Sequence, residues 1–225
     1  MTSPHAASAM PSRRSSRGRP RTRPRPGLTP EVIATAGRKL IEREGLEALT
    51  MRAVAAELDT AAASLYRHIA DRDALLLAIL EQIAAGLPVE VPGRTPKRRL
   101  YNRLVAAHDY MAAHVWVLHI LIRGELVAEN AFAFSDACLS DFLAAGLTPR
   151  RASTAFRACW HLTIGELLEG HPLEPPMEPS QRSLALTHID PEELPALARI
   201  RELDRSAGQD DFTTAVDALL TAFLP

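Results

Sequence analysis

The sequence has 225 residues, of which 47% are hydrophobic, 24% charged and only 5% aromatic. This composition is that of a folded globular protein and excludes disordered and fibrous classes. The net charge of −1 is unevenly distributed: residues 1–27 hold seven arginines and no acid, whereas the remaining 198 residues hold 19 basic and 27 acidic side chains.

The apolar content favours helices over strands. Ala occurs 37 times and Leu 31 times, against 9 Val and 10 Ile, and β-branched residues are the ones that suit strands. We therefore expect an all-α protein. No apolar run approaches the ~20 residues that cross a bilayer, so we expect no membrane span, and we expect no secretion signal either. Cys138 and Cys159 lack metal-ligand spacing, which predicts neither zinc nor disulfides and indicates a reducing cytoplasm.

The first predicted element is an Arg-rich arm over residues 1–27. Its Pro, Ser and Gly content cannot support a core, so we expect it to be disordered when free. A basic arm of this kind usually contacts a polyanion. The run Arg17-Gly18-Arg19-Pro20 resembles the core of an AT-hook, so Arg17 and Arg19 are predicted to contact a DNA minor groove. The alternative is a tail that is merely charged.

Helix starts are predicted where a capping side chain precedes proline, because the first helical position needs no N–H. The four sites are Thr29-Pro30, Thr95-Pro96, Thr148-Pro149 and Asp190-Pro191. Glu193 would complete a capping box at the last site, and Gly45 is predicted to end the first helix. Residues 88–96 are predicted to be a linker between an N-terminal domain, residues 28–87, and a larger helical domain, residues 97–225.

Residues 49–73 are predicted to form two short helices and a tight turn. On the first helix Val54, Ala55 and Leu58 face one way, and on the second Leu65 and Ile69 face back toward them. This is helix-turn-helix spacing. The outer side of the second helix carries short or polar residues, as a helix in a major groove requires: Ala62, Ala63, Ser64, Tyr66 and Arg67. The alternative is a three-helix bundle whose outer face is simply polar.

The stretch from Leu28 to about Ala85 closely resembles the DNA-binding region of the tetracycline-repressor (TetR) family. The similarity lies in LTPEVIATAGRKLIEREGLEALTMRAVAAEL and SLYRHIADRDALLLAIL, with the E-G helix end, the L-T-x-R entry, L-Y-x-H and D-x-x-A-L-L. Residues 142–170 resemble, more weakly, the subgroup of the tetracycline repressor itself. The resemblance implies an N-terminal three-helix helix-turn-helix module, a connecting fourth helix, and a larger helical ligand-binding and dimerisation domain.

The resemblance also implies DNA contacts. Carried over by position, they fall on Thr50, Arg52, Ala62, Ala63, Ser64, Tyr66, His68 and Arg72. Because the alanines offer no amide donors, base specificity is expected to depend on Arg52 and Arg67. The family usually has Gly in the turn where this chain has Asp59, and Asp tolerates the left-handed conformation, so the turn is expected to form.

Beyond the linker, helices are predicted near residues 96–114, 129–145, 149–170, 190–206 and 209–224. The last has one apolar stripe: Phe212, Ala215, Val216, Leu219, Leu220 and Phe223. The resemblance implies that the helices near 149–170 and 209–224 pair in a homodimer, although the apolar stripes on both could equally belong to a monomer core.

A mostly apolar ligand pocket with a few polar groups is predicted in this domain. Its predicted lining is His108, Met111, Trp116, Phe132, Phe134, Phe156, Trp160 and His161. The alternative for each residue is plain core. Two histidines that bind drug and metal in the tetracycline repressor fall at Pro88 and Ile122, so a metal-chelated tetracycline is not expected, although His161 and Glu169 match.

No catalytic motif, metal site or cofactor is predicted. The sequence thus predicts a cytoplasmic, ligand-responsive transcriptional regulator, a repressor that binds a palindromic double-stranded DNA operator as a homodimer and is released by a small, largely apolar effector. One alternative is a helical small-molecule-binding protein or enzyme whose basic arm binds nucleic acid non-specifically. Another is an architectural DNA protein.

Overall fold

The computed structural model describes residues 27–122, 126–170, 184–185, 187–203 and 210–224. Every regular element in these ranges is a helix, which confirms the predicted all-α class. The elements are α1 (Pro30–Glu44), a 3₁₀ turn (Leu46–Ala48), α2 (Met51–Glu57), α3 (Ala62–Leu65), α4 (Arg72–Ala84), α5 (Pro96–Ala112), α6 (Trp116–Leu121), α7 (Ala131–Ala144), α8 (Pro149–Gly170), α9 (Pro195–Leu203) and α10 (Asp210–Phe223). None of the described helices is long and apolar enough to span a bilayer.

The predicted threonine-proline helix starts are confirmed at α1, α5 and α8. In each case the threonine hydroxyl accepts the backbone N–H three residues later, at 3.3 Å for Thr29, 3.2 Å for Thr95 and 3.4 Å for Thr148. Gly45 ends α1 with φ 85°, a conformation that side-chain-bearing residues rarely adopt. Local capping chemistry therefore sets these boundaries.

The helix start predicted at Asp190-Pro191 is wrong. Asp190 does cap a turn, since its Oδ1 accepts the Glu192 N–H at 2.8 Å, but α9 begins only at Pro195. Pro195 has no N–H to donate to the carbonyl of Pro191, and its ring disfavours a helical conformation at Leu194. One turn therefore forms before the helix restarts.

Helices α1 to α4 form the helix-turn-helix module, in which α1 and α4 pack against each other. The two helices approach closely at Gly37, where a Cβ would lie 2.9 Å from Ile79 Cδ1. Val54 and Leu65, which bring α2 and α3 together, are fully buried, as the spacing predicted. The same apolar core continues along α4 into the rest of the protein.

Helices α5 to α10 belong to the C-terminal domain, in which α5 packs against α7, α8 and α10. The apolar stripe predicted on α10 faces the domain. Phe212, Val216 and Leu220 are fully buried, and the half-buried Leu219 and Phe223 pack against the same core. Most of the stripe is therefore monomer core.

An ion cluster secures the segment between α4 and α5. Arg103 Nη1 lies 2.7 Å from Asp141 Oδ2, and Arg99 Nε lies 2.7 Å from Asp141 Oδ1, so two of the three arginines of α5 pair with one carboxylate of α7. Arg103 also donates to the Val89 carbonyl at 3.2 Å. Because Arg103 and Asp141 are almost completely buried, this cluster fixes the segment against α5 and α7.

Candidate nucleic-acid interface and ligand cavity

The turn between α2 and α3 has the geometry that the sequence predicted. Thr50 caps α2, with its Oγ1 accepting the Ala53 N–H at 3.1 Å. Asp59 has φ 49°, so it adopts the left-handed conformation that the predicted turn requires. The Thr60 N–H donates to the Ala55 carbonyl at 2.9 Å and closes the turn.

Helix α3 is short, and a further turn follows it. The Ile69 N–H donates to the Leu65 carbonyl at 3.0 Å, and both of these side chains are buried. The side chains predicted to contact DNA lie on the other side: Ala63, Tyr66, Arg67 and His68 are exposed and Ala62 and Ser64 half-buried, while Thr50 and Arg52 are exposed at the start of α2. The predicted DNA-contacting residues of α2 and α3 are thus accessible to a ligand as large as a duplex.

The arginines of this module are in two groups. Arg43 pairs with Glu57 at 2.9 Å, and this hydrogen bond lowers the pKa of the Glu57 carboxyl. Arg38 pairs with Glu42 at 2.7 Å. In contrast, Arg52 and Arg67 make no hydrogen bond or ion pair with any described residue. Although residues 28–87 hold nine acids against six basic residues, these two guanidinium groups are therefore available to a partner.

Arg72, for which the resemblance implies a DNA contact, has partners within the protein. Its Nε donates to the Leu49 carbonyl at 2.9 Å, and its Nη2 lies 3.5 Å from the Leu46 carbonyl. These bonds attach the first residue of α4 to the loop that ends at Thr50. A phosphate contact would use the remaining N–H groups of the guanidinium. Arg17 and Arg19 lie outside the described residues.

The other end of α4 forms one wall of a cavity of about 230 Å³. Helices α5 to α8 and the segment before α7 form the remaining walls. The lining residues are Leu80, Ile83, Ala84, Leu87, Met111, Val117, Leu121, Leu126, Val127, Ala128, Ala131, Phe132, Phe134, Ser135, Phe156 and Trp160. Phe132 and Val127 are 58% and 60% exposed, so the cavity opens to solvent beside them.

The cavity lining includes five of the eight predicted ligand residues: Met111, Phe132, Phe134, Phe156 and Trp160. The structure places the other three elsewhere. His108 stacks on Phe212 with ring centroids 4.1 Å apart and hydrogen-bonds Glu166. His161 is exposed, because it follows Trp160 by one residue and lies about 100° further around α8.

Trp116 is buried outside the lining, because α5 ends at Ala112 and the chain turns before α6 begins. Val117 and Leu121 of α6 line the cavity instead. The sequence analysis also missed the α4 residues of the wall. The apolar spacing of these residues could have indicated a second role for α4, but the sequence analysis had assigned this helix to the DNA-binding region.

Hydrogen bonds of Glu81, Asn130 and Tyr110 fasten the cavity end of α4 to the C-terminal domain. The Glu81 carboxylate accepts the backbone N–H groups of Glu129 at 2.7 Å and Asn130 at 2.9 Å, at the start of α7. The Tyr110 hydroxyl donates to the Ile83 carbonyl at 2.9 Å and lies where a Cβ on Gly86 would be. Any displacement of α4 from α5 or α7 must strain these bonds.

A further contact joins α1 to the end of α5. His114 is buried, with its Nε2 3.5 Å from Arg38 Nη2 and its Nδ1 3.7 Å from Glu42 Oε1. Its ring packs edge-on against the Tyr110 ring, with the two ring centroids 5.0 Å apart. Burial, with the adjacent Arg38 charge, lowers the pKa of His114. The helix-turn-helix module therefore contacts the C-terminal domain through α1 as well as α4.

Both cysteines of the protein are buried. Burial raises the pKa of both Cys138 and Cys159 to about 12, so neither thiol is reactive near neutral pH. Within the described ranges no group of three or more His, Cys, Asp or Glu side chains is placed to hold a metal ion.

Residues 33–79 match the family model of bacterial regulatory proteins, tetR family. A solved neighbour is apo ActR from Streptomyces coelicolor, with a TM-score of 0.73 and 23% identity over 88% of this chain and 95% of that chain. The chain has a TetR-like fold. A second ActR structure, in complex with actinorhodin, gives the same TM-score of 0.73 at 22% identity, with 88% of this chain and 95% of that chain covered.

Two curated relatives carry regulator names. An HTH-type transcriptional regulator from Saccharopolyspora erythraea is 28% identical over 181 residues, which cover 79% of this chain and 76% of that protein. HTH-type transcriptional repressor DrrR1 from Streptomyces coeruleorubidus is 42% identical over 138 residues, or 58% of this chain and 49% of that protein. Both names are those of transcriptional regulators, and the family model covers residues 33–79. The finer resemblance of residues 142–170 to the tetracycline repressor itself is not confirmed.

Proposed function

We propose that the protein is a cytoplasmic, ligand-responsive transcriptional repressor that binds a palindromic operator as a homodimer and is released by a small, largely apolar effector. The observation that carries this proposal is the position of α4. Its first residue, Arg72, holds the loop that leads into the helix-turn-helix, and its last two turns form a wall of the cavity. One rigid element therefore connects an accessible DNA-binding surface to an apolar binding site.

The DNA-binding surface consists of Thr50, Arg52, Ala62, Ala63, Ser64, Tyr66, Arg67, His68 and Arg72. The small alanines let the α3 backbone approach a major groove, and the unpaired Arg52 and Arg67 offer donors to base edges. Since residues 28–87 carry a net negative charge, phosphate attraction needs a further source. The arginines of residues 1–27, with Arg17 and Arg19 in the minor groove, supply it in this proposal.

The homodimer is proposed to form through α8 and α10. The exposed side of α10 carries Ala218 and Ala222 at helical spacing, and the half-buried Ala215 and Leu219 lie next to them. Gly165 of α8 has open space around it. Small residues at these positions let helices of a second copy approach closely, and a two-fold pair would place two recognition segments on a palindrome.

The protein releases the operator because the effector binds two states of the protein with different affinity. An effector that prefers a state in which α4 has moved lowers operator affinity by its coupling free energy, typically ~1–3 kcal/mol, or about 5–150-fold. The repressor name of DrrR1 and the ligand in the ActR structure support this assignment.

The test is a selection of genomic DNA fragments by the full-length protein at a fixed salt concentration. The wild-type protein is compared with the double variant Arg52→Ala/Tyr66→Ala and with Arg94→Ala, which removes an exposed cation outside the helix-turn-helix. We expect the wild-type protein and Arg94→Ala to enrich one palindrome and the double variant to lose it.

Salt-sensitive binding without a common sequence would contradict the proposal. It would favour instead a helical small-molecule-binding protein or enzyme, or an architectural DNA protein, whose basic arm is the nucleic-acid element.

A further inference from the structure

The cavity beside α4 is lined almost entirely by apolar side chains. Among its described lining residues none is charged, and the polar groups are the Ser135 hydroxyl and the Trp160 indole N–H. Ser135 already donates to the Ala131 carbonyl at 3.2 Å, so its oxygen remains able to accept a hydrogen bond. The site therefore offers an acceptor at Ser135 and a donor at Trp160, both among apolar side chains.

The described lining residues carry no charge, and the charged residues next to them in the sequence are of both signs, because Arg157 follows Phe156 and Asp136 follows Ser135. The Glu81 carboxylate, between the lining residues Leu80 and Ile83, is bound to two backbone N–H groups. Glu129, close to the lining residue Ala131, is exposed. A charged group inside, of either sign, would lose its hydration without gaining an opposite charge from the described lining residues.

The volume and the side chains limit the ligand further. A dry cavity of about 150 Å³ in another protein holds one benzene ring, so about 230 Å³ corresponds to two fused rings. Phe134 lies 5.8 Å from Trp160 and 6.5 Å from Phe156, with the rings tilted against each other. Such tilted aromatic walls suit the faces and edges of another planar ring system.

We infer that the cavity binds an uncharged, planar ligand of about two fused aromatic rings with one hydrogen-bond donor, which the Ser135 oxygen accepts. This inference deepens the proposed function and rests on it for the ligand's role as an effector. The ligand class itself rests on the cavity alone.

Isothermal titration of the full-length protein with four probes tests the ligand class. 2-Naphthamide is the uncharged donor, 2-naphthoate has its shape with a negative charge, 2-naphthylmethylammonium carries a positive charge, and naphthalene lacks a donor. We expect 2-naphthamide to bind at least ~100-fold more tightly than either charged probe, because neither charge would be paired. Charged probes that bind within about tenfold of 2-naphthamide would overturn the inference.

Three variants test the place of binding. Ser135→Ala is expected to weaken the binding of 2-naphthamide about fivefold, which corresponds to the loss of one hydrogen bond, and to leave the binding of naphthalene unchanged. Ala131→Leu fills the cavity and should abolish binding of both probes. Ala133→Leu makes the same change on the exposed side of α7 and should not affect either probe. Thermal melts confirm that each variant folds.

A folded Ala131→Leu protein that binds 2-naphthamide as the wild-type protein does would overturn the inference. These titrations contain no DNA, so their result is independent of the operator selection. If 2-naphthamide binds in the cavity and leaves a confirmed operator complex unchanged, the proposed release mechanism fails while the ligand class stands.

Discussion

The helix-turn-helix module presents its proposed functional side chains to solvent, whereas the C-terminal domain directs its own onto an interior cavity. In the module, Arg52 and Arg67 project outward and the buried residues are nearly all apolar. In the C-terminal domain, apolar residues face the cavity, and the buried positions include the ionic pair Arg103 and Asp141.

The difference follows from the partners that each region is proposed to meet. DNA is too large to enclose, so its contacts must lie on a surface that short-range packing supports. A small apolar molecule must be enclosed to lose its hydration, so its site requires walls from distant parts of the chain. Long-range polar contacts then hold those walls in position.

Breaking the buried ion cluster should have the largest effect. Asp141→Ala leaves Arg103 buried without its carboxylate, and we expect the free energy of unfolding to fall by about 3–5 kcal/mol. Urea denaturation followed by circular dichroism measures it. Asp136→Ala removes an exposed acid from the same helix and should change little. Equal effects of the two variants would contradict the assigned role of the cluster.

Glu81→Gln tests the contact between the helix-turn-helix module and the C-terminal domain. The amide replaces one of the two acceptor oxygens by an NH2 group, so one of the two N–H groups at the start of α7 loses its acceptor and we expect a loss of about 1–2 kcal/mol of stability. Hydrogen exchange at Glu129 and Asn130 should accelerate. Glu129→Gln removes a neighbouring charge but keeps the backbone contact. If it accelerates exchange as strongly, the Glu81 contact does not hold α7.

Thr50→Ala removes the cap of α2. We expect a loss of about 1 kcal/mol, because the Ala53 N–H loses its acceptor. Thr50→Ser retains the hydroxyl and should recover most of this stability in the same denaturation assay. A serine variant as unstable as the alanine variant would mean that the threonine methyl group, not the cap, stabilises this helix.

The smallest expected effect is a pH dependence at His114. Burial beside Arg38 lowers its pKa, so the unfolded chain binds this proton more readily than the folded protein. The stability due to neutral His114 is therefore complete above the unfolded pKa of about 6.5 and is lost as pH falls below it.

His114→Phe should flatten this part of the stability profile, and His119→Phe, at an exposed position, should not. The groups facing His114 are Arg38, Glu42 and Tyr110. An unchanged profile in His114→Phe would exclude this histidine as the titrating group.

The helix-turn-helix module was largely predictable from the sequence. Its capping threonines, the stop at Gly45 and the turn at Asp59 are local signals, because each depends on hydrogen bonds or backbone angles within a few residues. The start of α9 was missed for an equally local reason, since Pro195 restarts the helix that Asp190 seemed to begin.

The cavity was only partly predictable. Apolar character identified Met111, Phe134 and Trp160, but the same character assigned Trp116 to the lining, and His108 and His161 were included as polar groups. Periodicity tells which side of a helix is apolar and not which neighbour that side meets. The contribution of α4 to the wall, and the contact of Glu81 with α7, depend on packing between segments about 50 residues apart.

The sequence by itself thus determined the helical class, the helix boundaries that capping controls and the helix-turn-helix, because these depend on interactions within one or two turns. Tertiary structure alone decided which apolar residues enclose the cavity and which form solid core. It also decided that Arg72 bonds the loop before α2 and that Arg103 and Asp141 pair across two helices. Those outcomes depend on how whole helices pack, and no local pattern encodes that arrangement.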